Sequence, residues 1–69
     1  MIFTLVEQRY QIDGKELARA RDKCNMNQSE FAYRCGWSPQ YQWSLENSVA
    51  MSISEGTKKV IEDVLNQSV

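Results

Sequence analysis

The chain has 69 residues, 42% of them hydrophobic, with eight Lys and Arg against nine Asp and Glu and no histidine, for a formal charge of −1. That length suits one domain, residues 1–69 as a single unit, which buries only about 60% of its unfolded surface and gains stability from a partner copy. With no histidine and two cysteines, His-ligated zinc, four-thiolate zinc, Ser-His-Asp triads and Cys-His dyads are all excluded, and no apolar run approaches the ~20 residues of a membrane span. No catalytic group, metal or cofactor is therefore expected, and the chain does not read as an enzyme. The opening residues lack the basic start and apolar length of a signal peptide, so a reducing cytosol is the expected compartment. There Cys24 and Cys35 stay thiols; Cys35, among Phe31, Ala32 and Gly36, reads as a small apolar core residue, and a Cys24–Cys35 bridge is the alternative.

Residues 2–6 (Ile-Phe-Thr-Leu-Val) are β-branched and aromatic, which suits a short strand, and a lone strand needs a partner edge. Residues 7–12 folding back, or the same segment of a second copy, would supply one; a loosely ordered arm over residues 1–12 is the third possibility. From Asp13 onward the signals are helical. Asp13 with Glu16 forms a capping box, and Leu17, Ala20, Arg21 and Cys24 share one face before Asn25-Met26 breaks the helix. Asn27 with Glu30 caps a second helix, which turns Phe31, Ala32 and Cys35 inward and ends at Gly36. Ser38-Pro39 starts a third, running to about Asn47 with Leu45 inward. A loop over residues 49–53 leads to a fourth helix, capped by Ser52 or Ser54, with the apolar stripe Val60, Ile61, Val64 and Leu65. The expected fold is all-α: four to five short helices plus a short extended N-terminal arm.

The second and third helices are separated by little more than Gly36-Trp37, so they must cross steeply. Ala32, one turn before Gly36, permits close approach. Small residues at that spacing between two capped helices mark a helix-turn-helix, here residues 27–47. Asn27-Gln28-Ser29-Glu30-Phe31-Ala32, then Gly36, Ser38 and Leu45-Glu46-Asn47, resemble the Cro and phage-repressor helix-turn-helix family, also called the xenobiotic-response-element type. The resemblance covers residues 14–47, about half the chain.

The resemblance implies a double-stranded DNA-binding regulator, a repressor of a phage or mobile element, working as a homodimer on a palindromic operator without a small-molecule ligand. Gln28 matches a glutamine that touches phosphate and braces the recognition helix. Asn47 matches a phosphate-contacting position, and Arg21 with Glu46 matches a buried ion pair. The recognition helix becomes residues 39–45, with Gln40, Trp43 and Ser44 facing base edges and Tyr41 at the phosphate flank. Where the family carries an apolar residue this chain has Gln42, so Gln42 either finds a buried partner or the helix is rotated and Trp43 turns inward. Pro39 stands where a base reader is common, which shifts reading to the three residues named.

The residues also argue without the family. A helix N-terminus such as Asn27-Gln28 attracts phosphate through its free N–H groups, and Gln40 can bond adenine through two atoms. Arg19 and Arg34 are further phosphate candidates. Ile2, Phe3 and Leu5 are the candidate dimerisation residues, with the fourth helix as the other possible seam. Six of the eight basic residues precede residue 45, yet the third helix has none and the calculated pI is 5.3. Aromatic residues on a neutral face also suit a protein-interaction module, an antirepressor, antitoxin or polymerase-binding adaptor.

Overall fold

The computed structural model describes residues 2–48 and 51–67. In chain order these form β1 (Phe3–Val6), β2 (Arg9–Ile12), α1 (Gly14–Lys23), α2 (Gln28–Cys35), α3 (Pro39–Asn47), β3 (Met51–Ile53) and α4 (Glu55–Gln67). The strands make one antiparallel sheet in the order β1-β2-β3. The fold is therefore mixed α and β, which corrects the all-α expectation.

Residues 3–12 form a hairpin and not a free arm, as the folding-back alternative expected; residue 1 of that segment lies outside the described residues. Val6 pairs with Arg9 across the two-residue turn Glu7-Gln8, and Phe3 pairs with Ile12. The turn forces Glu7 to φ 59°, a left-handed conformation that hairpins usually assign to Gly or Asn. Met51–Ile53, expected as loop, adds to the free edge of β2 with Tyr10 opposite Ile53 and Ile12 opposite Met51. Alternation then sorts the sheet into two faces. Phe3, Leu5, Tyr10, Ile12, Met51 and Ile53 share the face toward the helices, where Ile12 and Ile53 are buried. Thr4, Val6, Arg9, Gln11 and Ser52 share the exposed face, where the Arg9 guanidinium donates to Ser52 Oγ at 2.8 Å.

The core between sheet and helices is Ile12, Leu17, Met26, Phe31, Leu45, Ile53, Ile61 and Val64. Ile2 and Phe3, assigned to dimerisation from sequence, are partly buried against this core of their own chain, whereas Leu5 is 62% exposed. Of the expected α4 stripe, Ile61 and Val64 are buried and Val60 and Leu65 partly so.

The helix ends follow their capping residues. Asp13 accepts from Lys15 and Glu16 backbone N–H groups at 3.1 and 3.2 Å, and Asn27 from Glu30 N–H at 2.8 Å. Gly36 closes α2 at φ 86°, and Ser38 Oγ caps α3 through Tyr41 N–H at 3.2 Å. Ser54 caps α4, accepting from Thr57 N–H at 3.3 Å, while Ser52 belongs to β3. Both cysteines are free and partly buried. Gly14 has a further role: a Cβ at that position would lie 2.3 Å from the Glu46 carbonyl oxygen. Only a residue without a side chain lets α1 begin against the end of α3.

Candidate functional site

Glu46, at the inner side of the last turn of α3, is the junction of the three central helices. It is 9% exposed, and its carboxylate accepts four hydrogen bonds. Arg21 on α1 donates through Nε at 2.8 Å and Nη2 at 3.0 Å, Gln28 on α2 through Nε2 at 3.2 Å, and Gln42 on α3 through Nε2 at 2.7 Å. Arg21 also reaches the Met26 carbonyl at 2.8 Å and Asp22 at 3.1 Å. Burial alone would raise the Glu46 pKa. The hydrogen bonds from Arg21, Gln42 and Gln28, with the Arg21 charge, outweigh burial and hold it below the usual carboxylate range. The same hydrogen bond raises the Arg21 pKa against the opposing effect of desolvation.

Gln42 extends the network. It is fully buried, and its Oε1 accepts the Trp37 indole N–H at 2.9 Å while its amide donates to Glu46. Each end of a buried amide thus has a partner, which is what makes a polar residue tolerable there. The sequence left two orientations of α3 open. The one observed buries Gln42, Leu45 and Glu46 and turns Trp43 outward, 55% exposed.

The other face of α3 presents Gln40, Trp43 and Asn47. The Gln40 side chain is exposed. Ser44 is half-buried and donates its hydroxyl to the Gln40 carbonyl at 3.1 Å, so it offers an outside ligand only acceptor capacity. One amide hydrogen of Asn47 is held by the Trp43 carbonyl at 2.8 Å. Tyr41 packs edge-on against Trp37 with centroids 5.2 Å apart, which makes much of it structural. Asn27 uses its side-chain oxygen as the α2 cap. Gln28 is half-buried, its amide turned to Glu46. Arg34 is exposed at the end of α2; Arg19, on α1, is paired with Glu16 at 2.8 Å.

The sequence paired Arg21 with Glu46, as the structure has them, but it gave Gln28 to a phosphate and did not foresee its bond to Glu46. It left Gln42 undecided and missed the Trp37 indole as its partner. The signal was present, because Gln42 stands three residues before Leu45 and four before Glu46, on the inward stripe of α3. The only charged residue of α3 is the buried Glu46, so its outward face is neutral. Burial raises the Cys35 thiol to about 11, which leaves it unreactive near neutrality.

Among the described residues no cluster of three His, Cys, Asp or Glu is placed to hold a metal ion, and no helix is long and apolar enough to cross a membrane. In comparisons with protein-family models, curated proteins and solved structures, nothing matches this chain.

Proposed function

We propose that this chain is a sequence-specific double-stranded DNA-binding regulator, similar in design to the Cro and phage-repressor family, that acts as a homodimer in a reducing cytosol. The observation that carries the reading is the orientation of α3. A carboxylate that accepts four hydrogen bonds and a buried glutamine fix the inner side of this helix, and that leaves Gln40 and Trp43 outward on a rigid support. Gln40 bonds adenine N6 and N7 in the major groove, and Trp43 packs against a thymine methyl. The α2 N-terminus directs the Gln28 and Ser29 backbone N–H groups at a phosphate, with Arg34 and Asn47 as further contacts. A two-fold pair sets two such helices about 34 Å apart over a palindromic site.

With no cation on the outward face of α3, non-specific binding is weak and base reading carries a larger share of affinity. Selection from random duplexes, followed by titration across salt concentrations, tests the reading. A selected duplex should bind with an affinity that falls as salt rises, by the modest slope that a few phosphate contacts give, and Gln40→Ala should lose about 1–3 kcal/mol on it, concentrated at one or two base pairs. Failure to enrich any duplex at low ionic strength refutes it.

One observation favours a second reading. Trp43 and Tyr33, 55% and 85% exposed, are aromatic anchors of the kind that protein partners bury. Docking of a protein there would respond far less to salt than DNA binding.

A further inference from the structure

We infer that two copies of this chain pair antiparallel through the outer edge of β1, centred on Thr4, to make one continuous six-stranded sheet. This deepens the dimer of the proposed function by naming its surface. In a two-residue hairpin the closing pair, here Val6 and Arg9, exchanges both backbone hydrogen bonds, and bonded pairs then alternate along the strands. Thr4 and Ile2 therefore also point their backbone groups at β2, as the bond from Asp13 N–H to the Ile2 carbonyl at 2.7 Å confirms. Phe3 and Leu5 point theirs the other way. β1 is an outer strand, and no described strand pairs with that side.

Natural sheets blunt such an edge with a charge, a proline or a bulge. Phe-Thr-Leu-Val has none of these, and Leu5 is 62% exposed on it. The edge is also self-complementary. Pairing about Thr4 sets Phe3 against Leu5 of the other copy twice, which satisfies all four outward groups with apolar side chains on one face. The groove between β1 and α4 beside it is lined by Ile2, Phe3, Lys58, Glu62, Leu65 and Asn66. Its floor is apolar, and Lys58, over the Phe3 and Tyr10 rings, and Glu62 stand one helical turn apart with opposite charge. These two charges pair with each other at 2.9 Å, so the rim of the groove asks for no outside ion. The Phe3–Leu5 match repeats itself under a two-fold axis, which an unrelated peptide would not do, and so the occupant is a second copy.

The pairing makes a positional prediction. Thr4 lies opposite Thr4 of the other copy as a non-bonded pair, with Cα atoms about 4.5 Å apart, within the range of a disulfide. Val6 lies opposite Ile2 and far from itself. Both are exposed on the outer face, so Thr4→Cys and Val6→Cys leave the fold intact. Under mild oxidation without DNA, Thr4→Cys should give at least tenfold more disulfide-linked dimer than Val6→Cys or the unmodified chain. Leu5→Lys should weaken self-association at least tenfold by sedimentation, with an unchanged far-UV spectrum. Equal cross-linking of the two cysteine variants, or a monomeric wild-type chain at ~1 mM, overturns the inference. Because DNA is absent from these measurements, failure of the DNA-binding reading and failure of this one are separable.

Discussion

Replacing Glu46 by glutamine tests how much stability rests on one carboxylate. The substitution keeps the shape and exchanges one acceptor oxygen for an NH2 group. Whichever way the amide turns, that group meets donors: Arg21 Nη2 and Gln28 on one side, Arg21 Nε and Gln42 on the other. It also takes the buried counter-charge from Arg21, whose side chain is 12% exposed, leaving it one amide oxygen, the Met26 carbonyl and the exposed Asp22. Breaking a fully buried pair costs about 3–5 kcal/mol, and the remaining Asp22 contact and slight exposure reduce this to about 2–4 kcal/mol. A chain this small has only about 3–10 kcal/mol of stability in total. Urea unfolding followed by circular dichroism should show the midpoint falling by at least about 1 M. Removing both charges, as in Arg21→Met with Glu46→Leu, should recover about 1 kcal/mol of the loss and leave about 1–3 kcal/mol for the orphaned Gln42 amide. A loss below about 1 kcal/mol for Glu46→Gln, or strict additivity of the two charge removals, would refute the network as described.

Two further outcomes follow from the same geometry. Gly14→Ala places a methyl against the Glu46 and Leu45 carbonyls, which are backbone and cannot swing away, so the overlap outweighs alanine's helix preference; a net loss of about 1–3 kcal/mol is expected by thermal unfolding. An unchanged or raised midpoint would show that α1 does not begin against α3. The lowered Glu46 pKa makes its contribution to stability complete above the ordinary carboxylate value of about 4.3 and lost as pH falls through the folded value beneath it. Urea titrations between pH 7 and pH 2 should show this acid-side loss in the wild type and a smaller one in Glu46→Gln; identical profiles would contradict it.

The helices were legible because their punctuation is chemical. Asp13, Asn27, Ser38 and Gly36 each satisfy or redirect specific backbone groups, and each was read from residue type and spacing. The sheet was harder. Its turn, Glu7-Gln8, carries neither the Gly nor the Asn that signals a tight hairpin, and the left-handed strain falls on Glu7. β3 is three residues long and becomes a strand only because β2 offers an edge, a tertiary cause invisible locally. Period-two alternation in Arg-Tyr-Gln-Ile and Met-Ser-Ile was the available signal. The close approach that Gly14 permits to the end of α3 is likewise tertiary, and no local signal encodes it. At the site, the Arg21–Glu46 pair followed from the family resemblance, whereas the Trp37–Gln42 bond depends on the path of the turn, which no spacing encodes.

The strand pairing of Ile12 with Met51 has a consequence for how the molecule assembles. The chain leaves the sheet after Ile12 and is back in it at the paired Met51, so the three-helix unit between them is a long loop buckled at its base. Closing that loop is entropically unfavourable until the helices have drawn its ends together, so β3 should dock late and be the first strand to fray. An isolated segment holding α2 and α3 alone would lack both the buckle and the α1 arginine, and should be largely unstructured. The α2–α3 pair is then not a portable cassette: grafted elsewhere, it would need a host whose ends stand one strand apart.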